Sequence, residues 1–243
     1  MDKTIVEHQT PHFNVLSEGQ CQELYHAALE CLERIGVNVH NAEARQLLVK
    51  AGAHVDGERV KIPRNIIQVA LDQSPNSFEL WDREGESSFL VAPYQVQFGP
   101  GPSCTNFNDP PTGERRRAKR GDAGLTAKVC DALEHIDFVM SLSLYDNVTP
   151  VLSPVYEFAD MLTNTRKPIA AWANDIETLA AIYEIAKCVR GDERDLIEKP
   201  NFVYFSTYHS PLQHLDEKTA TILWAAEKGI PVVYLGGPSV GAG

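Results

Sequence analysis

Short runs of apolar residues, rich in β-branched and aromatic side chains, recur through the larger C-terminal part of the chain. They occupy residues 94–98, 138–144, 168–173, 202–207 and 230–235, and their starts lie roughly 30 to 45 residues apart. The sequence between successive runs has helical character. This spacing is typical of βα units, from which parallel sheets and barrels are built.

The βα repeat predicts an α/β fold, namely a TIM (β/α)8 barrel. A closed barrel takes eight βα units in about 250 residues. Residues 94–243 are too few for eight units, and no helix follows the fifth run. The sequence therefore predicts a barrel truncated after about five strands. Residues 93–243 would form the N-terminal part of this barrel, and residues 1–92 an N-terminal α+β cap.

The first helix of the cap is predicted from its ends and its apolar spacing. Ser17 followed by Gln20 is a capping-box pattern, and Gly36 is a C-terminal stop. A helix is therefore predicted over about residues 17–35. Its apolar residues recur at helical spacing and are predicted to line one face of the helix. They are Leu24, Ala28, Cys31 and Ile35.

The rest of the cap is predicted to contain two more helices and two hairpins. Asn41 is the cap of one helix, and Pro63 opens the other. Asp56-Gly57 between two short extended runs is the strongest local pattern for a hairpin. Apolar positions on both sides of residues 82–86 predict the second hairpin. No cluster of catalytic residue types occurs here, so we interpret the unit as a cap or a dimerisation element and expect a homo-oligomer.

Composition and charge exclude several classes of protein. Hydrophobic residues make up 43% of the chain, and no apolar stretch approaches the ~18 residues that cross a bilayer. The N-terminus carries charges of both signs and no apolar h-region, which predicts a cytoplasmic protein without a signal or transit peptide. A formal net charge of −11 disfavours nucleic acid and anionic lipid. Small molecules and proteins are the expected partners.

The cysteines and one basic run add two local expectations. The 5 cysteines are widely spaced and form no C-x-x-C pair, so reduced thiols are predicted rather than disulfides or a zinc site. Residues 114–120 read ERRRAKR and are the exception to the acidic charge of the chain. This run is either a solvated loop or first helical turn, or a docking patch for an acidic partner.

Residues 99–116 are rich in Gly and Pro and directly follow the first predicted strand. The two Gly-Pro pairs predict a rigid, non-helical exit, and Gly99 and Gly101 permit close approach of the backbone to a ligand. Active sites of barrels are built from such exits at the carboxyl ends of the strands. The segment has neither the Gly-Lys-Ser/Thr of a P-loop nor the G-x-G-x-x-G of a dinucleotide site, which excludes both.

A set of linked motifs spans essentially the whole chain. In order they are Gly99-Pro100 to Asn108-Asp109, Thr112-Gly113-Glu114-Arg115-Arg116, Asp122, Asp131-Ala132-Leu133, Ile136-Asp137-Phe138-Val139, Pro154-Val155-Tyr156-Glu157, Met161-Leu162, Asn164-Thr165, Lys167-Pro168-Ile169 and Gly236-Gly237-Pro238. In this combination the chain resembles the trimethylamine methyltransferase family. The resemblance covers only the N-terminal half of family members. It assigns a loop or backbone role to Gly236 and Gly237.

The resemblance implies a cytoplasmic (β/α)8 enzyme that moves a methyl group from a methylated amine to the cobalt of a separate corrinoid protein. The amine would be trimethylamine or a quaternary amine such as glycine betaine, in methanogenesis or other one-carbon metabolism. The corrinoid would be supplied by this cognate partner, and the chain itself would bind no cofactor tightly. Some family members carry pyrrolysine in a later strand, which is absent here, so the substrate stays open. A half-length chain is expected to be inactive alone.

The chemistry of such a reaction indicates which side chains to look for. Demethylating a quaternary ammonium needs no proton abstraction, because the amine leaves neutral when a strong nucleophile attacks the methyl carbon. The protein must hold a cation, and aromatic faces do this at about 0.5–2 kcal/mol each. The aromatic residues near the ends of the predicted strands are therefore candidate substrate-binding residues, although each can also pack beneath a loop. They are Phe98, Tyr145, Trp172 and Tyr208.

Polar residues follow the same predicted strands. Asn174 is a candidate substrate-binding residue, and the neighbouring Asp175 can either join it or cap the next helix. His209 is the candidate catalytic residue, because a histidine at a strand exit can bind a substrate carboxylate or protonate a leaving group. Its alternative role is a hydrogen bond to a loop carbonyl. No group of His, Cys, Asp and Glu has the spacing of a metal site, so we expect the chain to bind no metal.

Two other classes of function stay open. A different barrel lyase or aldolase normally needs a Schiff-base lysine or a metal, and the predicted strands contain no internal lysine, which weakens this hypothesis. The remaining hypothesis is a non-catalytic fragment that binds partners through its N-terminal unit.

Overall fold

The computed structural model describes residues 14–101, 104–140, 143–208 and 210–236, with Tyr208 described through its backbone. The α-helices are α1 (Glu18–Arg34), α2 (Ala42–Ala51), α3 (Arg64–Gln73), α4 (Asp122–Ala132), α5 (Ser153–Leu162), α6 (Ile176–Arg190), α7 (Glu193–Glu198) and α8 (Asp216–Glu227). The strands are β1 (Val37–Val39), β2 (His54–Asp56), β3 (Arg59–Lys61), β4 (Phe78–Trp81), β5 (Ser88–Val91), β6 (Asn106–Asn108), β7 (Arg115–Arg117), β8 (Val139–Met140), β9 (Ile169–Ala171), β10 (Phe202–Tyr208), β11 (Gln213–His214) and β12 (Val232–Gly236).

The helix α1 begins as the sequence predicts but buries a different face. The Ser17 hydroxyl accepts from the Gln20 N–H, and the Gln20 side chain accepts from the Ser17 N–H, which confirms the capping box. The apolar face noted in the sequence is not the buried one, since Leu24 and Ile35 are 61% and 57% exposed whereas Leu29 is buried. The helix packs on α3 and β3 through the Leu29 side. Two apolar stripes share this helix, and their spacing alone does not decide which one is covered.

The hairpins and helix caps of the N-terminal unit are confirmed. Asn41 accepts from the Ala44 N–H at the start of α2, and Gly52 ends that helix in the left-handed conformation with φ 104°. Strands β2 and β3 pair across Gly57, which has φ 61°, and β4 pairs with β5. The sequence patterns that predicted these features are local, which explains their reliability.

The N-terminal sheet takes one strand from the far end of the chain. Its order is β11-β1-β3-β2, and β1 runs parallel to β11 with Asn38 opposite Gln213 and Val39 opposite His214. The side chain of Asn41 also donates to Asp216 at 2.8 Å. The segment after β10 is thereby fixed to the N-terminal unit, so backbone pairing crosses the division predicted between residues 92 and 93.

The C-terminal part is built on a parallel sheet with the order β12-β10-β9-β8. The helices α4, α5, α6, α7 and α8 pack on one face, and the β4–β5 hairpin covers part of the other face. The helix-side core contains Phe158, Met161, Leu162, Ile169, Leu179, Ile182, Tyr183, Phe202 and Tyr204. Helices on one face alone are typical of barrels rather than of doubly wound sheets. The described strands form an open sheet, so the α/β class is confirmed and the closed barrel stays a prediction.

The first predicted barrel strand is wrong. Residues 94–98 form a loop, in which Tyr94 is 76% exposed and has φ 65°. A left-handed residue cannot continue an extended strand, so the apolar run does not join the sheet. Its backbone is anchored at Phe98, whose C=O accepts from the Asp137 N–H and whose N–H donates to the Asp137 carboxylate. The described parallel sheet thus begins with β8.

The basic run 114–120 is part of a β-hairpin, which overturns the prediction of a loop or first helical turn. Strand β7 pairs with β6, and Arg116 donates two hydrogen bonds to Asp122, at 2.7 and 2.9 Å, and one to Asp109 at 3.1 Å. The ring of Phe107 lies 5.0 Å from the Arg116 guanidinium carbon. The central arginine of this run therefore stabilises the junction between the hairpin and α4.

Two further expectations can be compared with the structure. The cysteines, all of which lie in the described part, form no disulfide, in agreement with the predicted reduced thiols. None of the helices in the described ranges has both the length and the hydrophobicity needed to cross a bilayer.

Candidate active site

The candidate site lies at the carboxyl edge of the parallel sheet. Trp172 directly follows β9, while Tyr208 and Gly236 are the last residues of β10 and β12 and lie side by side in the register. Carboxyl ends of parallel strands share one edge, and the loops that leave this edge form the active sites of α/β enzymes. The predicted catalytic His209 and the predicted Gly237 lie outside the described residues. The sheet thus brings together three of the predicted positions at one edge.

A buried carboxylate connects Trp172 to the segment that follows β8. Glu157 in α5 is 1% exposed, and its Oε2 lies 3.4 Å from the Trp172 indole Nε1. Its other oxygen accepts a hydrogen bond from the Ser153 hydroxyl at 2.8 Å. That hydroxyl in turn accepts from the Tyr145 N–H at 3.0 Å. Two of the predicted aromatic positions, Tyr145 and Trp172, are therefore held through one Ser–Glu pair.

Tyr145 occupies the core rather than an open pocket. It is 4% exposed and packs in the helix-side core, and its hydroxyl donates to the Asp160 carboxylate at 2.8 Å. Burial, reinforced by this hydrogen bond, raises the pKa of Tyr145 above its ordinary value. The ring is thus a neutral packing group beneath the loop. Its assignment as a cation-binding face stays a prediction.

Phe98 and its neighbouring glycines lie on the loop that replaced the first predicted strand. Phe98 is 61% exposed. A Cβ at Gly99 would lie 2.5 Å from the ring of Phe138, so the close packing of this ring explains the glycine. Among the described residues, no atom lies within 4 Å of a Cβ added at Gly101 or Gly236, so packing within the described part does not require glycine at either position.

The loop after β9 is fixed by a cap and by a lysine. Asp175 accepts from the Thr178 N–H at 2.8 Å and begins α6, which confirms the capping alternative for this residue. The Lys218 ammonium donates to the carbonyls of Ala173 and Asn174 at 3.1 and 3.2 Å. Burial lowers the pKa of Lys218 from its ordinary value. The backbone of Asn174 is therefore held in place, while the role of its side chain in substrate binding stays a prediction.

Two residues of this site were missed by the sequence analysis. Glu157 appeared only as part of a motif, although a carboxylate amid the apolar residues of α5 is an unusual feature that needs a partner. Lys218 carried no local pattern, because its partners are carbonyls 44 and 45 residues away. Only the packing of α8 against the end of β9 reveals its role.

No metal centre emerges from the described ranges, in which no group of three or more His, Cys, Asp and Glu side chains has the arrangement to hold an ion. The predicted absence of a metal is not tested by this observation, since His209 lies outside those ranges. What the described site offers is an indole, a buried carboxylate and backbone at one sheet edge. The use of this edge to hold a small cation stays a prediction.

Comparison with known proteins supplies the family. The model of the family described as trimethylamine methyltransferase matches residues 1–242. The trimethylamine methyltransferase MttB of Desulfitobacterium hafniense (strain DSM 10664 / DCB-2) is 27% identical over 224 residues, which are 90% of this chain and 45% of the relative. The Methanosarcina thermophila protein of the same name is 29% identical over 230 residues, covering 91% of this chain and 47% of the relative.

A relative named for a different substrate matches over the same span. The glycine betaine methyltransferase of Desulfitobacterium hafniense (strain Y51) is 23% identical over 224 residues, which are 92% of this chain and 47% of the relative. The chain spans about half the length of the curated relatives it matches. Because the family model matches nearly every residue, the chain belongs to the trimethylamine methyltransferase family.

Proposed function

We propose that this chain supplies the amine-binding half of a cytoplasmic enzyme that transfers a methyl group from a methylated amine to the cobalt of a separate corrinoid protein. The observation that carries the proposal is the family match over residues 1–242. The names of the relatives specify methylated amines, namely trimethylamine and glycine betaine. The substrate is therefore a small, positively charged amine.

The carboxyl edge of the sheet supports this assignment. The indole of Trp172 offers a face for an ammonium ion, at about 0.5–2 kcal/mol. Glu157 is 1% exposed and accepts from the indole N–H, so it fixes the ring and adds negative charge behind it. His209 is proposed to bind a substrate carboxylate, as in glycine betaine, or to protonate a leaving amine.

The proposed reaction breaks the carbon–nitrogen bond of the substrate and leaves the electron pair on nitrogen. The reduced cobalt of the corrinoid protein supplies the electron pair for the new bond to the methyl carbon. A quaternary amine leaves neutral, so this chain needs no general base for it. The tasks of its residues are to hold the cation, to orient one methyl group outward and to exclude water.

A complete site requires more of the barrel than the described sheet contains. The described parallel strands form an open sheet, whereas a closed barrel has eight strands and collects its site from several strand ends. The relatives are about twice as long as this chain. We therefore propose that the chain alone is inactive and that the remaining half of a relative completes both the barrel and the site.

A corrinoid methylation assay tests this function. The 243-residue chain is incubated with a reduced corrinoid protein, alone and together with the complementary half of a trimethylamine methyltransferase, and methylation is followed in the visible spectrum of the corrinoid. We expect methylation from trimethylamine or glycine betaine only in the combined sample. Activity of the chain alone would contradict the need for a second half. A folded combined sample that fails to methylate the corrinoid from any of the amines tested would contradict the function.

A further inference from the structure

The loop that leaves β10 at the carboxyl edge of the sheet is fixed at both of its ends. Strand β10 pairs with β12 as far as Tyr208. Beyond the loop, the C=O of Leu212 accepts from the Asn38 N–H of β1 at 2.8 Å, and the C=O of His214 accepts from the His40 N–H at 2.9 Å. Loops at this edge form the active sites of barrels. The N-terminal unit therefore binds a segment that continues directly from the candidate site.

Leu212 has a left-handed backbone conformation at the point of this contact. Its φ is 54°, which residues with a side chain rarely adopt. Such a conformation persists only where the surrounding structure determines it. The hydrogen bond from Asn38 and the pairing of Val39 with His214 supply this constraint. The path of the loop is thus imposed by β1 and not by the local sequence.

A pair of side chains adds a second connection between the two parts of the chain. Asn41 is buried, and its carbonyl oxygen accepts from the Ala44 N–H at 2.8 Å while its amide donates to the Asp216 carboxylate at 2.8 Å. One asparagine therefore caps α2 and binds the first residue of α8. The helices α2 and α8 also pack together, and Leu223 of α8 contacts the N-terminal core. An aspartate at position 41 would cap α2 equally well, but it would have no N–H to donate to Asp216.

We propose that Asn41 and Asp216 are positioning residues of the candidate site, through which the N-terminal unit fixes the loop between β10 and α8. This inference rests on the proposed function, which assigns the binding of a substrate carboxylate to His209. That histidine lies outside the described residues and precedes Leu212 by three positions. Three residues span at most about 11 Å, so fixing Leu212 limits the region that His209 can reach. The N-terminal unit thereby acquires a role in substrate binding.

Exchanging the two side chains tests the pair. Asn41→Asp keeps an oxygen that caps α2, but it removes the donor and sets two carboxylates against each other. The double variant, Asn41→Asp with Asp216→Asn, restores one donor and one acceptor in the reverse order. Ser17→Ala is the control, because it removes the cap of α1 in the same unit and leaves the contacts of the loop intact.

Hydrogen exchange followed by mass spectrometry measures the opening of residues 210–216 in the whole chain. We expect Asn41→Asp to speed exchange there by at least about fivefold, and the double variant to return it to within about twofold of the parent. Ser17→Ala should leave exchange in this segment unchanged. Unchanged exchange in Asn41→Asp, or a double variant that exchanges as fast as Asn41→Asp, overturns the proposal. Circular dichroism confirms that each variant is folded.

Kinetics with two amines test the effect on the site. In the sample combined with the complementary half, Asn41→Asp should raise the KM for glycine betaine at least about fivefold more than the KM for trimethylamine, because only glycine betaine has a carboxylate. The double variant should reverse this difference. An equal change for both amines, or no change, shows that the pair only stabilises the fold and overturns its positioning role. A parent sample that methylates from neither amine contradicts the proposed function instead, and hydrogen exchange then decides whether the pair fixes the loop.

Discussion

The indole Nε1 of Trp172 lies 3.4 Å from Oε2 of Glu157, a carboxylate that is almost completely buried in α5. The Ser153 hydroxyl holds the other oxygen of the same carboxylate at 2.8 Å. This arrangement connects the exit of β9 to the helix that follows β8. The orientation of the Trp172 indole at the carboxyl edge of the sheet therefore depends on Glu157 in α5.

Two substitutions of Glu157 test how much its carboxylate contributes to stability and to the orientation of the indole. Glu157→Leu removes the carboxylate that accepts from the indole N–H and from the Ser153 hydroxyl, and we expect it to lower the free energy of unfolding by about 2 kcal/mol. Glu157→Gln keeps an oxygen acceptor and should cost about half as much. Urea unfolding measures both. In a chain that keeps Trp172 as its one tryptophan, through Trp81→Phe and Trp224→Phe, the fluorescence maximum should shift for the leucine variant.

Glu193 provides the control for Glu157. It accepts from the Tyr183 hydroxyl at 2.8 Å, so Glu193→Leu also removes an acceptor from an aromatic side chain. This change should leave the fluorescence of Trp172 unaltered. A fluorescence maximum that is the same in Glu157→Leu and in the parent chain would show that the carboxylate does not orient the indole.

The proposed cation site makes a separate prediction for Trp172 and Tyr208. In the combined protein that methylates the corrinoid, alanine at either position should weaken amine capture by about 1–2 kcal/mol, or about 5- to 30-fold. Leucine should give little rescue, because it has no π face. If the rings only pack beneath loops, leucine should restore stability and affinity together. Melting temperature and amine affinity are measured in parallel, and near-normal affinity in Trp172→Leu and Tyr208→Leu would eliminate the site.

Local patterns predicted much of this fold. The capping box at Ser17, the caps at Asn41 and Asp175, and the Asp56-Gly57 hairpin are confirmed, because each depends on residues within a few positions of one another. Four of the predicted strand runs overlap the strands β8, β9, β10 and β12 in the expected order. Spaced βα repeats thus carry information about topology as well as about secondary structure.

The features that the sequence did not predict depend on contacts between residues far apart in the chain. Strand β11 pairs with β1, which lies near the other end of the chain. Because β11 is only 2 residues long, its sequence shows no detectable hydrophobic periodicity. The loop at 94–98 has an apolar composition like that of a strand, but the left-handed Tyr94 prevents extension. In α1 two apolar stripes have helical spacing, and only the position of α3 determines that Leu29 is the buried one. The contact between Trp172 and Glu157 likewise depends on how α5 packs beside β9.

The pairing of Arg116 with Asp122 predicts a dependence of stability on pH. Burial opposes ionisation of Asp122, but hydrogen bonds from Arg116 and from the Lys119 N–H outweigh it and hold the pKa of Asp122 below its ordinary value. The stabilisation is therefore complete above the unfolded-state pKa of about 4 and is lost as the pH falls through the lower folded-state pKa. Asp122→Asn should cost about 2 kcal/mol at pH 7.

The pH series provides the check on this ion pair. The difference in unfolding free energy between Asp122→Asn and the parent chain should shrink as the pH falls below about 4. Arg117→Ala is the matched control, because Arg117 and Asp146 are 3.7 Å apart and both side chains are more than half exposed. That control should lose less than about 1 kcal/mol. A constant difference for Asp122→Asn from pH 7 to pH 3 would contradict the assignment.

The open side of the sheet predicts how the chain associates with other chains. Among the described strands β12 pairs with β10 alone, and Val233 and Leu235 are 36% and 49% exposed. A terminal strand with apolar side chains is a template for pairing with other chains. We expect the parent chain to form large oligomeric species and to melt over a broad range. Leu235→Lys should reduce these species, because a charged residue on a terminal strand opposes pairing between chains.

Dynamic light scattering at several protein concentrations measures this association. Leu235→Lys should remove most of the large species. Leu125→Lys on α4 is the control, because Leu125 is 52% exposed and lies away from the sheet. Adding the complementary half of a relative should also remove the large species by covering β12. A monodisperse parent chain with a sharp, reversible melt would show that the described sheet needs no further strand.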